Sequence, residues 1–179
     1  HSGEKRLETD VAAEVKTEGI DVHGTSAVGD SRLKKVKFDR NVTVTMRDAA
    51  RPEAKPTVIT CDGPLDIDYA KGIGTFYGNV LAQDERGELR ADRMDVYHDQ
   101  KTEQVEKIIA TGNVEIKKPD GSTTYSDSVI YYAKDGRMVL GGDPEALVYR
   151  DEDSQDDPLG IEETGLGNKE KNADQKIDN

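Results

Sequence analysis

At 179 residues the chain has room for one domain with a real core, or for one elongated stack of sheet. Only 34% of it is apolar against 35% charged, with no Trp, which argues against a thickly cored globule and for a thin, open or solenoid-like sheet. The net charge of −12 leaves no basic footprint for nucleic acid, and no run approaches the ~20 apolar residues of a membrane-spanning helix.

The ends come first in chain order and are the least patterned. Residues 1–17 are polar with a faint apolar pattern at Leu7, Val11, Ala12 and Val15, which reads as an entry strand or a frayed end. The chain starts at His1 without a Met, which implies a processed or truncated N-terminus; a removed signal peptide or anchor would leave no trace. Residues 20–23 and 27–28 are short strand candidates around Gly24 and Gly29. Residues 33–38 and 42–46 are clearer strands, with β-branched and aromatic side chains on alternate sites. Between Arg47 and Pro56 the prolines exclude a central strand and mark the best internal boundary.

From Thr57 to Tyr149 a loose repeat takes over. Gly78-Asn79-Val80 and Gly112-Asn113-Val114 close two units, Gly141-Gly142-Asp143 is a degenerate copy, and Arg40-Asn41-Val42 an earlier one. Aligning Asn41, Asn79, Asn113 and Asp143 gives spacings of 38, 34 and 30 residues, so the unit length varies in its turns. Each unit opens on a strand carrying an Asp (Asp62, Asp92, Asp127), continues with a second alternating run, turns through Lys, Gly and Asp, and ends on the Gly-Asn-Val strand. Apolar residues fall at every second position, as in Ile108, Ala110, Gly112, Val114 and Ile116, the period of a strand with one buried face. Residues 83–87 and 117–121 read as hairpin turns, the second built on Pro119-Asp120-Gly121. After Arg150 the periodicity stops. Residues 151–179 hold 10 Asp/Glu against 3 Lys, a block expected to stay solvated and disordered.

Few groups converge for chemistry. His1, His23 and His98 sit at dissimilar places and form no metal-spaced pair. Cys61 is the single cysteine, without a partner for an internal disulfide, and beside Ile59 it reads as a buried thiol. Asp62, Asp92 and Asp127 could form a carboxylate ladder for Ca²⁺ or for acid–base work. Recurring once per unit, they suit turn-bonding equally well, and Gly-Asn suits a bend that needs unusual backbone angles.

What remains is an apolar lining. The alternation puts Val42, Val44, Ile59, Ile67, Phe76, Val80, Leu89, Met94, Val96, Ile108, Val114, Ile116, Val129, Tyr131, Leu140 and Val148 on one face, with Cys61, Leu65, Ala91, Ala110, Met138 and Ala146 among them. Such a face is either a core packed against itself or a groove between two sheet faces. Medium aliphatic side chains suit acyl chains, since burying each CH₂ is worth about 0.8 kcal/mol.

Residues Ala91-Asp92-Arg93-Met94-Asp95-Val96-Tyr97, Ile108-Ile109-Ala110-Thr111-Gly112-Asn113-Val114 and Tyr125-Ser126-Asp127 resemble the OstA-like family. That family contains the periplasmic lipopolysaccharide-transport proteins LptA and LptC and the N-terminal domain of the outer-membrane member. Met138-Val139-Leu140-Gly141-Gly142-Asp143-Pro144 looks like the family's closing strand. Gly19-Ile20-Asp21-Val22 and Phe38-Asp39-Arg40-Asn41-Val42 are similar to the C-terminal part of an LptC-type protein. The implied division is an LptC-like segment over 1–50, an LptA-like body over 51–150 and an acidic tail over 151–179.

The resemblance implies an all-β, elongated, open antiparallel β-jellyroll of two V-shaped sheets. It implies no enzyme and no cofactor. Lipid A acyl chains of lipopolysaccharide would lie in the groove, and the lining residues named above would hold them. The implied partners are other Lpt-type jellyrolls docked edge to edge, the inner-membrane transporter complex and the outer-membrane translocon, with no nucleic acid. The place would be the periplasm, any inner-membrane anchor lying in a segment absent from this chain. Two rivals differ in what they need: a non-catalytic β-repeat scaffold needs a filled core, and a polysaccharide-active enzyme needs two of Asp62, Asp92 and Asp127 converging in a cleft.

Overall fold

A computed structural model describes residues 6–17, 19–48, 51–102 and 104–147. Among them are eleven strands and no helix: β1 (Arg6–Lys16), β2 (Ile20–Asp30), β3 (Lys35–Met46), β4 (Thr57–Cys61), β5 (Leu65–Asp68), β6 (Ile73–Asp84), β7 (Gly87–His98), β8 (Val105–Lys117), β9 (Thr123–Tyr132), β10 (Met138–Gly141) and β11 (Glu145–Leu147). All pair antiparallel in one hydrogen-bonded sheet of order β1-β2-β3-β4-β6-β7-β8-β9-β10; β5 pairs with β3 and β6, and β11 pairs with β9. The expected all-β antiparallel jellyroll architecture is what the chain forms. The acidic block expected over 151–179 lies outside the described residues.

The sheet is longer-stranded than the sequence suggests. Residues 20–23 and 27–28 are parts of one strand, β2; 35–38 and 42–46 are parts of β3, with Leu33 and Lys34 in the turn before it; and the runs on either side of Asp92 are both in β7. What reads as a break is a bulge. Asn41, Asn79 and Asn113 have φ of 53°, 46° and 46°, and Gly78 and Gly112 have 75° and 77°. Gly-Asn therefore supplies two successive left-handed residues, which Gly and Asn adopt at least cost. They swell the strand without ending its ladder. Between β6 and β7, Gly78 and Asn79 stand opposite Asp92 alone; between β8 and β9, Gly112 and Asn113 stand opposite Asp127 alone.

These bulges line up across the sheet as one crease. The buried residues that flank it are four positions apart on the Gly-Asn strands (Phe38 and Val42, Phe76 and Val80, Ala110 and Val114). They are three apart on the Asp-bearing strands (Ala91 and Met94, Ser126 and Val129). The unequal spacing keeps the same face turned inwards on both sides of the bend, although the strict period of two would have reversed it on β7 and β9. Side chains hold the row together: Asn79 Nδ2 donates to Asp62 Oδ2, and Asn113 Nδ2 donates to Asp92 Oδ2 at 2.8 Å. The strand between β3 and β6 is split at the same row into β4 and β5 by Asp62-Gly63-Pro64.

The crease divides the sheet into two leaves. One contains β5, β10 and the adjoining halves of β2, β3, β6, β7, β8 and β9; the other contains β4, β11 and the remaining halves. The core lies between them. Phe38, Ile59, Met94 and Ala110 are 0% exposed, which a sheet face reaches only when a second layer covers it. Leu65, Val42, Val80, Val114 and Val129 complete the centre.

Candidate functional site

The interior between the leaves gathers most of the lining named from the sequence. Val42, Val44, Ile59, Phe76, Val80, Met94, Val96, Val114 and Val129 are buried, and Ile67, Leu89, Ile108 and Ile116 are partly buried against them. Tyr131 is half-buried, and Leu140 is exposed. Val148 lies outside the described residues. The interior is continuous and largely apolar, with Ser126 as a buried polar member and Cys61 inside it, where burial pushes the thiol pKa up.

The apolar face does not stop where the cover does. On β10, Met138 and Leu140 stand opposite Tyr131 and Val129, so they share the inward face. Yet they are 49% and 38% exposed. Leu147 on β11 and Val11 on β1 are also exposed. Both ends of the sheet order thus carry exposed apolar side chains on or beside an edge strand, the arrangement that invites another strand.

The far ends of the leaves meet at Arg86 and Tyr131. Thr123, at the start of β9, lies in the row of Lys117 and close to the β6–β7 turn; Tyr131 lies eight residues further on, roughly 26 Å along a flat strand. Nevertheless Arg86 Nη1, from that turn, donates to Tyr131 Oη at 2.6 Å, and its guanidinium carbon is 5.3 Å from the ring centroid. Only a sheet folded back along the crease brings these groups together. Asp84 holds Arg86 in place: its carboxylate accepts from Arg86 Nε at 2.9 Å and from the backbone N–H at 2.7 Å. Thr57 Oγ1 donates to the same carboxylate at 3.4 Å. Burial pushes the Asp84 carboxyl up, but the bonds from Arg86 outweigh it and leave the group below its ordinary 3.8. The hydrogen bond with Asp84 raises the Arg86 pKa further above its already high ordinary value.

Among the described residues, two of the clefts lie at the leaf ends. One of ≈ 390 Å³ is lined by Gly29, Asp30, Ser31, Lys34, Lys35, Val36 and Tyr69, beside the β2–β3 turn. The other, of ≈ 240 Å³, includes Asp84, Gly87 and Lys117.

The three repeated aspartates take part in the crease. Asp62 and Asp92 accept from Asn79 and Asn113, and Asp127 packs where a Cβ on Gly142 would lie 2.3 Å from its Oδ2. Among the described residues, no group of three or more His, Cys, Asp or Glu is placed to hold a metal. His23 approaches Glu14 at 3.3 Å on the exposed β1–β2 pair.

Sequence reasoning passed over Arg86, because Asp84-Glu85-Arg86-Gly87 reads as a plain polar turn. The one available signal was Tyr131, a phenol among aliphatic lining residues, whose hydroxyl needs a partner. Also unread were the outward pairs Arg93 over Tyr77 at 5.3 Å and Lys107 over Tyr97 at 4.4 Å, and the buried Thr75 Oγ1–Asp95 Oδ1 bond of 2.8 Å.

A comparison with curated protein sequences gives no match. Residues 59–156 match the LptA/(LptD N-terminal domain) LPS transport protein family, a stretch that begins in β4 and covers more than half of the chain. A creased antiparallel sheet with an apolar interior, and that match over the repeats which build it, place the chain in the LptA/(LptD N-terminal domain) LPS transport protein family.

Proposed function

We propose that the chain binds lipopolysaccharide in the periplasm by taking the lipid A acyl chains between its two leaves, and relays it between the membranes. The observation that carries this reading is the inward apolar face of β9 and β10, which runs from the buried Val129 to the exposed Met138 and Leu140 without a polar break. Acyl chains that enter at this edge meet a mainly aliphatic lining, with Tyr131 beside Met138 and Phe76 further in. A chain of about a dozen methylenes gains on the order of 10 kcal/mol from that transfer. The glycan and phosphates stay in water, so no covalent step is needed. Docking of a further jellyroll on β1 or on β10 and β11 extends the apolar path, with the inner-membrane transporter complex and outer-membrane translocon as its two ends. The segment over 1–50 serves as the LptC-like entry and 51–150 as the LptA-like body.

A filled-core scaffold is the second reading, and full burial of Met94 and Ile59 favours it. Photo-crosslinking separates the two. A photoreactive residue at Leu140, Ile116 or Ile67 is expected to capture lipopolysaccharide, and one at Asp66 on the outward face is not. Capture at none of the inner sites, in protein with an intact β-sheet spectrum, supports the scaffold and rejects the groove. Ile116→Asp and Ile67→Asp are expected to abolish binding; binding retained by both, with the fold intact, removes these two residues from the lining.

A further inference from the structure

We propose that Arg86 and Tyr131 form a latch across the mouth between the two leaves, and that acyl chains enter only when it opens. The inference rests on the acyl-binding reading and adds what controls access to that site.

Four observations carry it. Arg86 and Tyr131 lie on opposite leaves and are joined by no strand pairing, so their 2.6 Å bond ties the far ends of the leaves directly. Tyr131 belongs to the inward face, standing opposite Ile108 on β8 and Met138 on β10, so its hydroxyl meets Arg86 at the rim of the interior. Arg86 is pre-aimed by Asp84, which fixes both its backbone N–H and its guanidinium. Behind the latch the interior is sealed: Met94, Ala110 and Ile59 are 0% exposed, leaving no passage as wide as a water molecule at these side chains. An acyl chain is wider than that, so the leaves must part before one enters.

The latch is built to release. The Arg86 side chain is 54% exposed, so water replaces the phenol as its partner at small cost. Its charge stays paired with Asp84 throughout, and no charge is buried or stranded when the mouth opens. The crease supplies the hinge, because the bulged row is where ladder bonds are already interrupted.

The test uses the full chain and fluorescently labelled lipopolysaccharide, with association followed by stopped flow. Tyr131→Phe keeps the ring and removes the hydroxyl; Arg86→Gln removes the charge. Each is expected to speed association about fivefold, the loss of one exposed hydrogen bond to a charged group. In the converse experiment, Arg86→Cys with Tyr131→Cys is joined by a bis-maleimide of matching span, Cys61 being buried. The joined protein is expected to bind no lipopolysaccharide, while the unjoined pair binds as fast as Tyr131→Phe.

Equal association in the joined and unjoined proteins, with the wild type binding normally, overturns the latch and leaves acyl binding standing with another entrance. Unchanged rates in Tyr131→Phe and Arg86→Gln overturn it as well. Absence of binding in the wild type rejects the acyl-binding reading, and the latch falls with it.

Discussion

Gly112 and Asn113 divide the demands of the bend between them, and substitution should reveal the division. Asn113 combines a left-handed φ of 46° with a side-chain bond to Asp92. Asn113→Ala loses both and is expected to cost about 1–2 kcal/mol, whereas Asn113→Gly loses only the bond and about half as much. Urea unfolding of the two variants reads the difference, and equal losses would show that φ carries no weight there. At Gly112 an added Cβ would lie 2.5 Å from Asp92 Oδ2, so Gly112→Ala should exceed either and be partly rescued by Asp92→Ala. Gly63 allows no rescue: its Cβ would sit 2.2 Å from the backbone oxygen of Asp39 at φ +109°. Gly63→Ala should therefore destabilise by more than about 3 kcal/mol.

Asp84 gives the residue scale its pH dependence. Its folded carboxyl lies below the ordinary 3.8, so its contribution is fully present above that value and is lost as pH falls through the depressed folded value. Urea midpoints for wild type and Asp84→Asn, taken from about pH 5 down to about pH 2.5, should converge towards the acid end. A gap that stays constant over this range would mean the carboxylate adds nothing to the fold.

Strands were more legible than their joints. The period of two in residues such as Ile108, Ala110, Val114 and Ile116 reports a buried face directly, and prolines 52 and 56 do fall between β3 and β4. The Gly-Asn signal was also readable as a bend. Its consequence was not: a bulge and a strand end look alike in sequence, because both break alternation and both favour Gly, Asn and Asp. Only the partner strand tells them apart, and pairing is non-local. For the same reason the link from Arg86 to the opposite leaf was invisible, since nothing near residue 86 in sequence points to residue 131. The edge element yields a prediction of its own. Met138→Glu with Leu140→Glu alters side chains that are already exposed, so unfolding should shift by less than about 1 kcal/mol, while docking onto this edge is lost. Sedimentation velocity over a concentration series checks it; unchanged association would move the docking edge to β1.

At the scale of the whole sheet, β3 is what joins the N-terminal strands to the repeats. It pairs with β2 on one side and with both β4 and β5 on the other, and it supplies Phe38, Val42 and Val44 to the core. A chain lacking residues 1–50 strips the cover from Ile59 and Leu65, and is expected to unfold at clearly lower urea and to associate through the bared edges. Circular dichroism with size-exclusion chromatography tests this; a monomer of unchanged stability would show that the repeats suffice alone.

The crease also says how such a chain can change length. The β6–β7 and β8–β9 hairpins each carry Gly-Asn on one strand and the facing Asp on the other, and the repeat spacings of 38, 34 and 30 residues differ away from the bend. A duplicated hairpin would arrive with both halves of the joint already written into it, ready to fall into line with its neighbours. The molecule is therefore extensible by whole hairpins: copying one would widen the covered apolar interior by two strands, about 10 Å, without redesigning any residue already present.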